Sequence, residues 1–192
     1  MLLKKLIKNC PSNLKNILVR GLSFDTRSIK RGELFFALPG SINNGENFIQ
    51  DALKKGACAV ITSKKISKQF KSIKVDDVRT CLGEVCSKYF PRKPLNIIAV
   101  TGTNGKSSVA DFFHQILRYN RIKAATIGTL GVKIKSFKKN KLTSPDVISL
   151  HEELSKLKKK NINNVLIEAS SHGLHQGRLN GINFKAGIFT NL

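Results

Sequence analysis

The chain has 192 residues, 41% of them hydrophobic and 24% charged, which is ordinary globular usage and argues against both a disordered chain and a membrane-embedded one. Its formal net charge of +22 invites a nucleic-acid partner, yet the lysines are scattered through every segment and no aromatic residues interleave with the runs at Lys138-Lys139 and Lys158-Lys159-Lys160 for base stacking. The opening Met1-Leu2-Leu3-Lys4-Lys5-Leu6-Ile7-Lys8 breaks every apolar pair with lysine and so lacks the apolar stretch of a secretory signal. A cytoplasmic, monomeric protein with no specific nucleic-acid partner and no membrane insertion is the expectation. A positive surface would equally attract a nucleoside triphosphate or a nucleotide sugar.

In chain order, Val19 to Phe24 and Leu34 to Leu38 are short apolar runs rich in β-branched and aromatic residues and are predicted strands. Ile49, Ala52 and Leu53 mark a helical stripe, Cys58 to Thr62 a strand, and Leu82, Val85, Cys86 and Tyr89 a second helix. Pro91-Arg92-Lys93-Pro94 then ends the helix and resists a central strand, which predicts a boundary between domains 1–92 and 93–192. Beyond it come a strand at Ile97 to Val100 and a helix carrying Val109, Phe112, Phe113, Ile116 and Leu117. A further helix carries Val147, Leu150, Leu154 and Leu157, with Ser144 expected as N-cap, Pro145 at the first helical position, and Lys158 to Lys160 suiting its C-terminal dipole. Val165 to Ile167 and Ala186 to Phe189 are the last strands. Alternation of strand and helix throughout predicts an α/β fold. Cys10, Cys58, Cys81 and Cys86 show no CxxC pair and no metal-ligand spacing with histidine, and are read as reduced thiols.

The strongest local signal is Ile97 to Val100 followed by Thr101-Gly102-Thr103-Asn104-Gly105-Lys106-Ser107-Ser108 and then directly by a helix. A buried strand, a glycine-rich turn and a helix opening at Lys-Ser is what a phosphate-binding loop requires. The glycines allow a tight turn, successive N–H groups can face phosphate oxygens, and the helix N-terminus adds positive potential. Gly102, Thr103, Asn104, Gly105, Lys106, Ser107 and Ser108 are therefore the candidate ATP-binding residues, with Lys106 reaching the β- and γ-phosphates and the Ser107 hydroxyl on Mg²⁺. The generic motif has glycine where this chain has Val100. The alternative is a surface turn with a serine capping the helix.

The compact form of that loop resembles the one in Mur ligases and folylpolyglutamate synthases. Asn164 to Leu174, with Gln176 and Arg178 after it and Phe189-Thr190-Asn191-Leu192 further on, is similar to the signature of the Mur ligases that add the third amino acid of the peptidoglycan peptide. Asp25-Thr26-Arg27 and Gly32 to Gly40 resemble the uridine-binding N-terminal domain of those ligases. The resemblance implies an N-terminal α/β uridine-binding domain followed by an incomplete parallel-sheet ATPase domain of the P-loop type.

It also implies roles. Phe24 and Thr26 match positions beside uridine, with Ser41-Ile42-Asn43 as a following contact loop or, equally, Asn43-Asn44-Gly45 as a plain turn. Thr143 and Ser144 match a hydroxyl pair that binds the sugar-peptide, Ser144 being also a helix cap. Ser170, Gln176 and Arg178 match substrate contacts, Arg178 being suited to a bidentate grip on an anion. Glu168, at the carboxyl end of a strand, matches a Mg²⁺ ligand, while His172 is equally a structural histidine. The implied reaction transfers the γ-phosphoryl of ATP to the D-glutamyl carboxylate of UDP-N-acetylmuramoyl-dipeptide, and the amine of diaminopimelate or lysine attacks the acyl phosphate. In the family, the residues selecting that amino acid lie beyond the position of Leu192, so the 192 residues alone are expected to be inactive in ligation. Two readings compete: the sister ligase that adds D-alanyl-D-alanine, and a nucleotide- or nucleic-acid-binding module without ligase activity.

Overall fold

Each half of the chain gathers its short apolar runs into one sheet. The computed structural model describes residues 1–40, 44–67, 70–128, 131–134, 137–138 and 145–191, and the chain divides into two units, Met1–Tyr89 and Phe90–Leu192.

The first unit contains α1 (Leu3–Leu6), β1 (Gly21–Ser23), β2 (Glu33–Phe36), a 3-10 turn (Gly45–Phe48), α2 (Ile49–Lys54), β3 (Ala59–Thr62), β4 (Ser72–Lys74) and α3 (Val78–Tyr89). The strands pair in parallel in chain order, β1-β2-β3-β4. Phe35, Ala37, Ile49, Ala52 and Val60 form one buried cluster, which joins α2 to the sheet. Val78, Leu82, Val85 and Cys86 recur at helical spacing and are buried along α3. That helix is capped by Asp77, whose carboxylate accepts the Arg79 N–H at 2.8 Å and the Thr80 hydroxyl at 2.6 Å. The short strand β4 was not predicted, because only Ile73 of its three residues is buried and the flanking serine and lysine carry no strand signal.

The second unit contains β5 (Asn96–Thr101), α4 (Lys106–Tyr119), β6 (Ala124–Gly128), β7 (Gly131–Lys133), β8 (Phe137–Lys138), α5 (Val147–Lys159), β9 (Asn164–Glu168), α6 (Ser171–His175) and β10 (Ala186–Phe189). The sheet order is β10-β5-β9-β6-β7-β8. The first four strands run parallel, and β7 and β8 extend the sheet antiparallel. The period of two along each strand assigns its faces. Ile97, Val165 and Ile167 pack with Leu150, Leu154 and Leu157 of α5, whereas Val100 and Leu166 pack with Ala110 of α4 on the other face. β6, β7 and β8 carry little β-branched sequence and were not predicted. The N-terminus of α5 corrects the expectation for Ser144 and Pro145: the cap is Asp146, which accepts the Ser149 N–H at 3.0 Å, and the helix begins at Val147. A carboxylate is a stronger acceptor for the first-turn N–H groups than a hydroxyl, so the helix starts after Pro145 rather than on it. All four cysteines are free, and burial pushes the Cys81 thiol up to about 11.

Candidate active site

The chain leaves β5 for β6 across the position of β9, and later leaves β9 for β10 on the far side of β5. The connections thus run in opposite directions from two adjacent strands, the place where open α/β sheets bind ligands beyond their carboxyl ends. Gly102 to Gly105 occupy that place. Gly102 and Gly105 have φ of 138° and 83°, a conformation that favours glycine, and a Cβ on Gly102 would stand 2.1 Å from the Thr190 hydroxyl. The first bond of α4 is from the Val109 N–H to the Gly105 carbonyl at 2.9 Å. The N–H groups of Lys106, Ser107 and Ser108 therefore find no acceptor among the described residues and stand at the positive end of a 14-residue helix. Lys106 Nζ lies over the loop, donating to the carbonyls of Gly102 at 2.6 Å and Thr103 at 3.0 Å. The arrangement offers donors and one ammonium to an anion.

Glu168 follows the face rule. It shares the α4 side of β9 with Leu166, and Ser107 sits in the first turn of α4. Ser107 Oγ donates to Glu168 Oε2 at 2.9 Å, with Glu168 only 7% exposed. Two adjacent ligands on an octahedral ion with bonds of 2.0–2.1 Å stand about 3 Å apart, so this pair fits Mg²⁺ as hard oxygen donors. Among the described residues no group of three or more His, Cys, Asp or Glu gathers. Gly128, at the end of β6, makes room: a Cβ there would stand 2.2 Å from Glu168 Oε1.

Beyond β9, Ser170 is the N-cap of α6, its hydroxyl accepting the Gly173 N–H at 3.1 Å. The Gln176 amide lies 2.7 Å from His172 Nε2, and Arg178 Nε donates to Gln176 Oε1 at 2.9 Å. Gln176, Arg178 and His172 are thus one connected group. The segment that bears them is tied to α5 by His151, whose Nε2 lies 2.9 Å from the Asn180 carbonyl. A carbonyl can only accept, so Nε2 carries the proton. His151 is fully buried, and burial pushes its pKa down to about 4.

In the first unit, Phe24, Thr26, Arg27, Leu38, Phe48 and Arg79 line an open cleft of about 430 Å³. Thr26 is buried and its carbonyl accepts from Lys55 Nζ at 3.0 Å. Arg27 pairs with Asp25 at 2.7 Å, and this hydrogen-bonded guanidinium holds the Asp25 carboxyl below the usual carboxylate range. Arg79 donates to the Pro39 carbonyl at 2.5 Å. Asn44 caps the 3-10 turn through a 3.0 Å bond from the Glu46 N–H, and Gly45 lies so close to Leu38 that a Cβ would meet its backbone at 2.6 Å. Ser41-Ile42-Asn43 and the hydroxyl pair Thr143 and Ser144 lie outside the described residues.

Residues 100–192 match the Mur ligase middle domain, and residues 18–96 match the Mur ligase family catalytic domain. The chain belongs to the Mur ligase family. It is 40% identical, over 186 residues, to a UDP-N-acetylmuramoyl-L-alanyl-D-glutamate–2,6-diaminopimelate ligase of Brucella melitensis, covering 95% of this chain and 38% of that protein. It is 44% identical over 177 residues to the Rickettsia bellii ligase of the same name, covering 90% of this chain and 36% of the other. A solved structure of a ligase of that name superimposes with a TM-score of 0.86 at 29% identity, over all of this chain and 40% of the other. The MurF ligase of Thermotoga maritima in complex with ADP shares the fold, with a TM-score of 0.60 at 19% identity, covering 92% of this chain and 38% of that one. The chain spans under two fifths of the length of these two curated relatives.

Within this Mur ligase chain the loop, Ser107 and Glu168 all lie in the part that matches the middle domain. Three residues escaped the sequence reading as site residues: Gly128 beside Glu168, and Thr190 and Asn191 beside the loop. Thr190 Oγ1 donates to the carbonyl of Asn104 at 2.6 Å, and Asn191 Oδ1 accepts the N–H groups of Thr103 at 3.1 Å and Asn104 at 3.0 Å. The sole signal for them was their place in the stretch Phe189 to Leu192. Nothing in the local pattern around Gly128 distinguishes it from any strand-end glycine. No described helix is long and apolar enough to cross a membrane.

Proposed function

We propose that this chain is the uridine-nucleotide-binding domain, residues 1–92, and the beginning of the ATP-binding domain, residues 93–192, of an ATP-dependent ligase. The ligase joins diaminopimelate to UDP-N-acetylmuramoyl-L-alanyl-D-glutamate in the cytoplasm, as a step of peptidoglycan synthesis. The observation that carries the reading is the contact of Ser107 with Glu168 at 2.9 Å beside a loop whose next donors are free for an anion. Such an arrangement suits a metal-bound triphosphate. The names of the relatives support diaminopimelate over lysine as the added residue.

In this reading the N–H groups of Lys106, Ser107 and Ser108 bind phosphate oxygens, Lys106 neutralises charge that builds on the transferring phosphoryl group, and Ser107 with Glu168 holds Mg²⁺. The ion supplies further charge neutralisation when bound. Arg178, oriented by Gln176, grips an anionic group of the sugar-peptide, and Ser170, Thr143 and Ser144 are further contacts to that substrate. Phe24 and Thr26 receive the uridine. Transfer of the γ-phosphoryl to the D-glutamyl carboxylate gives an acyl phosphate and ADP; the incoming amine displaces phosphate to form the amide. Positioning and charge supply the catalysis, so no protein nucleophile is called for.

Calorimetric titration of the chain with ATP and Mg²⁺, and separately with the UDP-muramoyl-dipeptide, tests the reading. Both ligands are expected to bind, ATP only when Mg²⁺ is present. Binding of duplex DNA in preference to ATP and Mg²⁺ would overturn it.

A further inference from the structure

The end of β10 reaches the phosphate loop from outside, along a route that the ATP-binding reading does not use. β10 pairs with β5 through Phe189 and Thr101, so the two residues after Phe189 lie beside the loop that follows Thr101. Thr190 closes on it three times: its N–H bonds the Thr101 carbonyl at 2.9 Å, and its hydroxyl contacts the carbonyls of Thr101 at 3.2 Å and Asn104 at 2.6 Å. Asn191 then takes the opposite polarity. Its side-chain oxygen accepts from Thr103 and Asn104 at 3.1 and 3.0 Å, and its own carbonyl accepts from Thr103 at 3.3 Å.

The loop's polar groups are thereby divided. Donors at 103 and 104 face Asn191, while the donors at 106, 107 and 108 remain for an anion. An exposed loop with two glycines is costly to order, because each glycine gives up more backbone freedom than any other residue. A loop already fixed before ligand arrives does not exact that cost on binding. We propose that Asn191 is a positioning residue for the phosphate loop: its carboxamide oxygen, supported by the Thr190 hydroxyl, fixes the 103–104 turn and sets the conformation in which the 106–108 donors meet a triphosphate. This rests on the reading of Gly102 to Ser108 as a phosphate loop. Asn191 touches no substrate in this account. It acts through Thr103 and Asn104, and it couples the order of the edge strand β10 to nucleotide affinity.

The test compares the full chain with Asn191→Leu, which keeps the size and removes the acceptor, and with Asn191→Asp, which keeps an acceptor oxygen. Asn191 is exposed, so neither change disturbs a core. Two readouts are used: ATP–Mg²⁺ affinity by calorimetry, and amide hydrogen exchange at Thr103 and Asn104 without nucleotide. In Asn191→Leu the Asn104 amide is expected to lose protection, Thr103 is expected to keep part of its own through the main-chain carbonyl of residue 191, the amides of β10 keep theirs, and affinity is expected to fall about tenfold, the loss of two ordinary hydrogen bonds. Asn191→Asp retains the amide protection. Affinity within twofold of the parent in Asn191→Leu, or unprotected Thr103 and Asn104 amides in the parent, overturns the proposal. Absence of ATP binding by the parent protein would instead overturn the phosphate-loop reading on which it stands.

Discussion

The two units build their concave ends from different materials. In the second unit the strand order reverses direction between β5 and β9, so the ends of neighbouring strands meet and the site comes from rigid elements: the loop on β5, Ser107 on α4 and Glu168 on β9. In the first unit the order β1-β2-β3-β4 follows the chain without reversal, and the cleft comes instead from the segments after β1 and β2, held by local bonds such as Arg27 to Asp25 and Gly45 to Leu38. The difference teaches where precision resides. A site on strand ends fixes single atoms to a few tenths of an ångström, which suits a metal and a reacting phosphate; a loop-built cleft suits recognition of a larger, unreactive group.

The largest expected effect separates the two ends outright. Lys106→Ala removes the one ammonium over the loop together with its bonds to Gly102 and Thr103. ATP–Mg²⁺ affinity is expected to fall by about 100-fold, the scale on which charged hydrogen bonds to phosphate are lost, with the thermal midpoint almost unchanged. UDP-muramoyl-dipeptide binding is expected to stay at the parent value. Loss of both affinities together would mean that the two ends are not independent.

Gly128→Ala sharpens the comparison inside the second unit. The added methyl would stand 2.2 Å from Glu168 Oε1, so the carboxylate must shift, which disturbs its contact with Ser107. The Mg²⁺-dependent part of ATP affinity is expected to drop by roughly tenfold, and stability by about 1–3 kcal/mol from overpacking. Calorimetry at several Mg²⁺ concentrations and urea unfolding measure the two parts. Parent-like Mg²⁺ dependence would detach Glu168 from the metal role.

These residues also show what sequence can and cannot disclose. The strand-loop-helix of Ile97 to Leu117 was legible because periodicity, glycine spacing and the Lys-Ser opening all point to one conformation. Glu168 was legible through the resemblance, and its side of the sheet follows from alternation with Leu166. Gly128, Thr190 and Asn191 were not legible as site residues, because their effect depends on strand order: only when β10 and β6 take their places in the sheet do these residues approach the loop and Glu168. β6 itself, Ala-Ala-Thr-Ile-Gly, has too little strand propensity to be seen without its neighbours. At α5 the proline misled, since Asp146 competes better for the first-turn N–H groups than a cap placed before Pro145.

His151 gives an effect on stability alone, confined to the second unit. Its pKa is pushed down to about 4 by burial, against about 6.5 in an unfolded chain. The unfolded state therefore binds the extra proton first as pH falls. The stability linked to the neutral ring is complete above pH 6.5, declines between about 6.5 and 4, and amounts to about 3 kcal/mol lost at the lower end. His151→Gln, which can still donate to Asn180, is expected to flatten this slope in urea midpoints measured from pH 7 to 4. An unchanged slope in that variant would assign the acid sensitivity elsewhere.

The smallest effect compares two similar caps. Asp77 holds the start of α3 through Arg79 N–H and Thr80 hydroxyl at 2.8 and 2.6 Å, and Asp146 holds the start of α5 through Ser149 N–H and hydroxyl at 3.0 and 2.6 Å. Each cap serves one helix in one unit, and each carboxylate makes one bond to a backbone donor and one to a side chain. The like geometry implies a like cost of about 1 kcal/mol for Asp77→Ala and for Asp146→Ala. The consequence lies in how that cost is distributed. If the units unfold separately, Asp77→Ala raises hydrogen exchange along α3 and β2 and leaves α5 and β9 at parent rates, while Asp146→Ala does the reverse. If either substitution accelerates exchange equally in both sheets, the units unfold as one cooperative body, and the independence expected of the two ligand-binding ends would have to arise from local contacts alone.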